Sequence, residues 1–175
     1  MRTPLTVGIA SLAILATSFT PVLATEKREL DSHEHGHVKL EIAIEGNAME
    51  IKLEAPGESI VGFEHAAKTD DQKAAVAKAR EQLSDANTLF VIPADAGCTV
   101  QASSAELHQH GNHNEFEGEY TFNCTNTAAL ASMETKLFSL YPSIEEIDVD
   151  YVSANGQGSV ELEADSPRIT FAPAG

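Results

Sequence analysis

Apolar and polar positions alternate with period two from Val38 onward. Val38, Leu40, Ile42 and Ile44 alternate with Lys39, Glu41, Ala43 and Glu45, so one face of a strand is buried and the other solvated. Met49, Ile51, Leu53 and Ala55 repeat the pattern against Glu50, Lys52 and Glu54. Gly46-Asn47 between the two runs is a two-residue hairpin loop. With that turn, Ile44 faces Met49, Ile42 faces Ile51 and Leu40 faces Leu53, which predicts a well-specified register.

After the irregular stretch 55–65, the period changes. Thr69, Asp70 and Asp71 suit a helix N-terminus, and Val76, Ala79 and Leu83 recur at helical spacing. The run TLFVIP then reads as a buried strand ending at Pro93. A second hairpin is written around Cys98 and Cys124. If those two face each other, Val100 meets Phe122, Ala102 meets Tyr120 and Glu106 meets Phe116, with the turn centred on Gly111. Glu106 is the one polar residue on that apolar face. TAALASMETKLFSLYP predicts a second helix, with Leu130, Met133, Leu137 and Tyr141 on one stripe and Pro142 as its stop. IDVDYV is a strand, and GSVELE with RITF forms a closing strand pair. The predicted fold class is α+β, with antiparallel β-hairpins, two helices on one face and one disulfide. The order strand-strand-helix-strand occurs twice, which suggests an internal repeat, residues 37–93 against 98–151.

The first 24 residues read as an export signal. Arg2 precedes the apolar run LTVGIASLAILATSF, and Val22 and Ala24 occupy the small-residue positions of a cleavage site. The run is shorter than the ~20 residues of a membrane span. The expected mature chain is a soluble periplasmic one, with residues 25–37 as a flexible histidine-rich segment and 38–175 as a single domain. The formal charge is −16, which argues against nucleic acid and anionic lipid as partners and favours cations near the surface. Two cysteines in an exported chain argue for a Cys98–Cys124 disulfide.

Within this frame the histidines stand out. Six of the 7 fall into two short patches, HEHGH at 33–37 and HQHGNHN at 108–114. The first contains H-E-x-x-H, which in a zinc hydrolase lies on a helix so that both histidines share a metal. Gly36 inside the motif and the strand starting at Val38 leave no room for that helix. His33, His35 and His37 instead project from one side of an extended chain, for capture rather than catalysis. In the second patch, His108, His110 and His113, flanked by Glu106 and Glu115, suffice for a four-coordinate shell around Zn2+. Cu2+ and Ni2+ suit the same ligands in vitro. Strict pleating in the register above would put His113 on the opposite face from His108 and His110, but a turn centred on Gly111 need not keep the pleat. His65, beside Phe63, reads first as a structural residue and ranks last among the metal ligands. No catalytic site is assembled by any other motif, so the chain is not expected to be an enzyme. Since imidazole binds metal only when neutral, zinc affinity is expected to fall as pH drops through ~6.5.

The order HEHGHVKLEIAIEG, SIVGFEH, a cysteine followed by a histidine-rich insert, then YTFNC, LFSLYP and GQGSVEL resembles the ZrgA family of bacterial periplasmic zinc-uptake proteins. That resemblance implies an envelope protein that assists high-affinity zinc import, beside an ABC importer. Family members often carry a longer His/Asp-rich tract, so the short HQHGNHN implies one or two ions per chain rather than bulk storage. A reading from another class remains: an envelope protein–protein interaction module with incidental metal binding.

Overall fold

The computed structural model describes residues 36–171. The expected signal peptide and the histidines at 33 and 35 lie outside them. Strands β1 (His37–Glu45) and β2 (Ala48–Pro56) form the first hairpin, in the predicted register: Leu40 pairs with Leu53, Ile42 with Ile51 and Ile44 with Met49. Val38, Leu40, Ile42, Met49, Ile51 and Leu53 are all buried. A slip by one residue would exchange them for Lys39, Glu41 and Lys52. Each large apolar side chain carried into water costs roughly 1.5–3 kcal/mol, so the pairing is fixed by the face it buries.

One short and one long helix follow, α1 (Gly57–Val61) and α2 (Asp70–Leu83). At the start of α2 the Thr69 hydroxyl accepts from the Gln72 amide at 3.2 Å, and the Gln72 side chain accepts from the Thr69 amide at 3.2 Å. This reciprocal capping satisfies two amides that the first helical turn leaves unpaired. The TLFVIP segment is less of a strand than predicted. Its start belongs to a one-turn helix, α3 (Ala86–Leu89), capped by Asp85, and only β3 (Phe90–Val91) is extended.

The second hairpin is β4 (Cys98–His110) and β5 (His113–Cys124), closed at its base by the Cys98–Cys124 disulfide. Cys98 faces Cys124 and Val100 faces Phe122 as predicted, but the register then shifts between Val100 and Ala102. Gln101 is a bulge. Beyond it Ser103, not Ala102, faces Tyr120, and Leu107, not Glu106, faces Phe116. The correction has a physical cause. With the bulge, the Ser103 hydroxyl donates to the Ser84 carbonyl at 2.6 Å and accepts from the Ala86 amide at 3.2 Å, docking the end of α2. Ala105 turns inward, and Glu106 turns out to pair with Arg80.

The second predicted helix does not form as such. After a 3-10 turn at Thr127–Ala129 the chain makes a strand, β6 (Ser132–Thr135), and one helical turn, α4 (Leu137–Leu140). Leu130, Met133, Leu137 and Tyr141 are all buried, so the apolar spacing marked the core correctly and the element wrongly. Strand β6 is held between β3 and β9 (Arg168–Thr170), and this pairing overrides the helical preference of an alanine-rich segment. The last two strands therefore separate: β8 (Gly156–Leu162) pairs with β7 (Glu146–Ser153), and β9 joins the smaller sheet. The strand-strand-helix-strand order does not recur, since the second half carries β6 and α4 where its helix was expected.

The six-stranded sheet runs β4-β5-β2-β1-β7-β8, antiparallel except for the parallel pair β1–β7. Its inner face shares one core with the helices and the three-stranded sheet β3-β6-β9. Phe90 packs edge-on against Tyr120 and Phe122, and Tyr151 against Phe171. The helices thus share that covering layer with a second sheet, rather than forming it alone.

Candidate metal centre

The outer face of the large sheet is mainly polar, with Ala43 and Val152 among its apolar positions, and the topology gives it a direction. The first residue of β1, the last of β2, the first of β5, the last of β4 and the first of β7 lie at one end of the sheet, as their pairings require. That end carries His37, His108, His110 and His113. The loop after α1, which holds Glu64 and His65, closes on the same end: the Asn114 side chain donates to the His65 carbonyl at 2.6 Å. All five histidines among the described residues are therefore brought to one end of the molecule.

The bulge at Gln101 decides how the tip presents its ligands. Past it, His108 faces Glu115, His110 faces His113, and Glu106 faces Glu117. Cross-strand partners project from the same side of a sheet. His108, His110 and His113 thus share the outer face with Glu115 and Glu117, so His113 does not take the opposite face that strict pleating in the unbulged register would give it. The two residues between His110 and His113 make the turn, with Gly111 in the left-handed region at φ 63°.

His110 Nε2 stands 3.8 Å from a Glu115 oxygen and 3.7 Å from a Glu117 oxygen, and these three groups offer ligand atoms within 4.8 Å of one another. His108 Nε2 is 3.8 Å from the other Glu117 oxygen, and the two imidazole rings stack at 6.4 Å. In a tetrahedral zinc site with bonds of ~2.0–2.1 Å, ligand atoms sit roughly 3.4 Å apart. The tip holds its nitrogens and oxygens near that spacing. Glu115 is 14% exposed and the histidines about half exposed, so an ion would meet a partly desolvated carboxylate beneath accessible imidazoles.

His113 is engaged differently. Its Nδ1 lies 2.7 Å from a Glu64 oxygen, in a contact that ties the loop after α1 to the hairpin. A carboxylate on one ring nitrogen fixes the tautomer and leaves the other nitrogen as the one with a lone pair, as in the carboxylate–histidine pairs behind many zinc ligands. His65 stacks on Phe63 at 5.2 Å, and its Nδ1 lies 2.9 Å from the Ala66 carbonyl oxygen.

Of the HEHGH motif, the structure describes Gly36 and His37. Gly36 is left-handed at φ 86°, and His37 already belongs to β1, so His37 is not on a helix. The Gly36 carbonyl accepts from the Glu145 and Glu146 amides at 2.8 and 3.2 Å, and its amide donates to Ser59 Oγ at 3.2 Å. A Cβ at Gly36 would stand 2.9 Å from Glu145 Cγ, so glycine is needed there for both backbone and space. His37 is thereby set beside Glu146, with 3.6 Å between Nδ1 and the carboxylate, and Asp148 completes a third-ligand distance within 4.8 Å.

Sequence reasoning identified the histidines and Glu115 but missed Glu117, Glu64, Glu146 and Asp148. The alternation EFEGEY does signal that Glu115 and Glu117 share the outer face. Nothing in the sequence says that β7 lies beside β1. A shallow cleft of about 680 Å³ lies farther along this face, over Ala43, Glu50, Val152 and Gln157. It holds no histidine and is not where metal-binding groups gather.

Residues 32–171 match the family model described as ZrgA family zinc uptake protein. The chain belongs to this family. No curated protein matches the chain. Membership gives the chain a zinc-related role. No helix among the described residues is long and apolar enough to cross a membrane.

Proposed function

We propose that this chain is an exported, non-enzymatic zinc-binding protein of the bacterial envelope, which captures Zn2+ in the periplasm and assists its high-affinity uptake beside an ABC importer. Its 38–175 region is the binding domain, and the segment before it, bearing His33 and His35, is a further source of imidazole ligands. The observation that carries this reading is the hairpin tip, where His110 reaches Glu115 and Glu117 at near-tetrahedral ligand spacing and His108 shares Glu117. Family membership supports zinc as the ion, although Cu2+ and Ni2+ would occupy the same ligands in vitro. His113, held by Glu64, stands ready as a further ligand from the same face.

Calorimetric titration of zinc into the metal-free protein tests this, beside a variant with His108, His110 and His113 replaced by alanine. The tightest binding event should disappear from the variant. A variant that binds as its parent does would remove the tip from the reading and move attention to His33, His35 and His65. Repeating the titration from pH 7.5 to 5.5 should weaken binding progressively, because protons compete for imidazole.

A further inference from the structure

We infer that His37, Glu146 and Asp148 form a second divalent-metal site, on the parallel strand pair β1–β7 and separate from the hairpin tip. The geometry comes from the pairing. His37 lies directly beside Glu146, and the next outward pair is Lys39 beside Asp148, so Asp148 is diagonal to His37 on the same face. His37 Nδ1 and the Glu146 oxygen are 3.6 Å apart, close to the roughly 3.4 Å between neighbouring ligands of a tetrahedral zinc. The Asp148 carboxylate joins them within 4.8 Å.

Charge separates this arrangement from a simple histidine–glutamate pair. Two carboxylates beside one imidazole leave negative charge over even if the ring is protonated, and a divalent cation balances both. Lys39, the register partner of Asp148, gives its ammonium to Glu41 at 2.8 Å. The three groups are about two-thirds buried or intermediate in exposure, which strengthens attraction for an ion relative to open solvent.

Rigidity is the remaining argument. His37 follows Gly36, whose backbone is bound to both Glu145 and Glu146 and to Ser59. Two ligands are therefore fixed by one hydrogen-bonded junction in the middle of a six-stranded sheet, whereas the tip ligands sit on a hairpin end. A site of one nitrogen and two oxygens leaves a coordination position for water or for an incoming ligand. This inference draws only the identity of the ion from the zinc-uptake reading; the site itself stands on the geometry of β1 and β7.

The test uses the whole chain with His33, His35, His108, His110 and His113 all replaced by alanine, which removes the imidazoles of the tip and of the segment before Gly36. Zinc titration with amide NMR should still find about one equivalent bound, with the largest shifts at Glu146–Asp148. Adding Glu146→Gln and Asp148→Asn, both close to isosteric, should weaken that binding by at least ~10-fold, since even an indirect supporting residue often costs that much. Asp148→Asn alone serves if the double change disturbs the fold, and should move affinity in the same direction. No binding in the five-histidine variant, or binding that ignores Glu146 and Asp148, overturns the inference. Failure of the tip is read separately, from the parent against the tip variant, so the two sites stand or fall independently.

Discussion

At the scale of single residues, two buried phenols make opposite contributions. Tyr120 is buried on the inner face of β5, with its hydroxyl donating to the Leu83 carbonyl at the end of α2 at 2.9 Å. Gly118 makes room for it, since a Cβ there would stand 2.3 Å from the Tyr120 oxygen. Tyr141 is buried too, but its hydroxyl has no hydrogen-bond partner among the described residues. Tyr120→Phe should therefore cost about 1 kcal/mol, the usual worth of a made hydrogen bond, whereas Tyr141→Phe should be neutral or stabilising because it removes a buried, unsatisfied polar group. Urea unfolding of the two variants checks the contrast, and equal losses would contradict it. Burial lifts the Tyr141 phenol to about 12 and the Tyr120 phenol above the usual tyrosine range, with nearby Tyr141 adding to the latter. As pH passes ~10 the unfolded chain releases these protons first, so it binds fewer than the native state and stability falls. The loss should set in near pH 10, deepen by at most ~1.4 kcal/mol per pH unit per phenol, and shrink in the double Phe variant.

At the scale of elements, the β4–β5 hairpin joins a covalently closed base to a ligand-bearing tip. Its disulfide spans a separation of 26 residues and restricts the unfolded chain. Replacing both cysteines by serine should cost about 3 kcal/mol in urea unfolding. Zinc binding by the folded variant should survive, because the far end of the hairpin is held independently by Asn114, Glu64 and the β2 pairing. A folded double-serine variant that no longer binds zinc would show that the tip depends on its base. Much of this element was legible in the sequence. The cysteines set the register as far as Val100 and Phe122, and the alternation of β1 and β2 set theirs completely. The bulge at Gln101 was not legible, because its reason is the docking of Ser103 on Ser84 and Ala86, contacts nearly twenty residues away in sequence. Strand β6 was hidden for a similar reason. Met133 and Thr135 alternate with Ser132 and Glu134, but four residues of period two cannot outvote an alanine-rich neighbourhood until β3 and β9 are known to flank them.

At the scale of the whole molecule, the acidic charge is organised rather than scattered. One row across the outer face reads Glu106, Glu117, Glu54, Lys39, Asp148 and Glu161, five carboxylates to one ammonium. Lys39 stays protonated above the usual lysine range through its hydrogen bond to Glu41, with the charges of Glu41, Glu54 and Asp150 adding. The net charge and the histidine patches could be read from the sequence, but not this row, which needs the strand order and above all the parallel β1–β7 pair. Both candidate sites draw carboxylates from that row, Glu117 for the tip and Asp148 for the central strands. Such a face attracts cations over distances comparable to the Debye length, ~30 Å at 0.01 M salt and ~3 Å at 1 M. Zinc should therefore associate faster at low ionic strength, and the rate should fall several-fold as a non-complexing salt is raised through this range. Glu54→Lys with Glu161→Lys would weaken the field without touching either ligand set. That variant should show a slower, less salt-sensitive association in stopped-flow mixing, with dissociation nearly unchanged. If association proves insensitive to salt in the parent, the row guides nothing, and the carboxylates matter only where they bind metal directly.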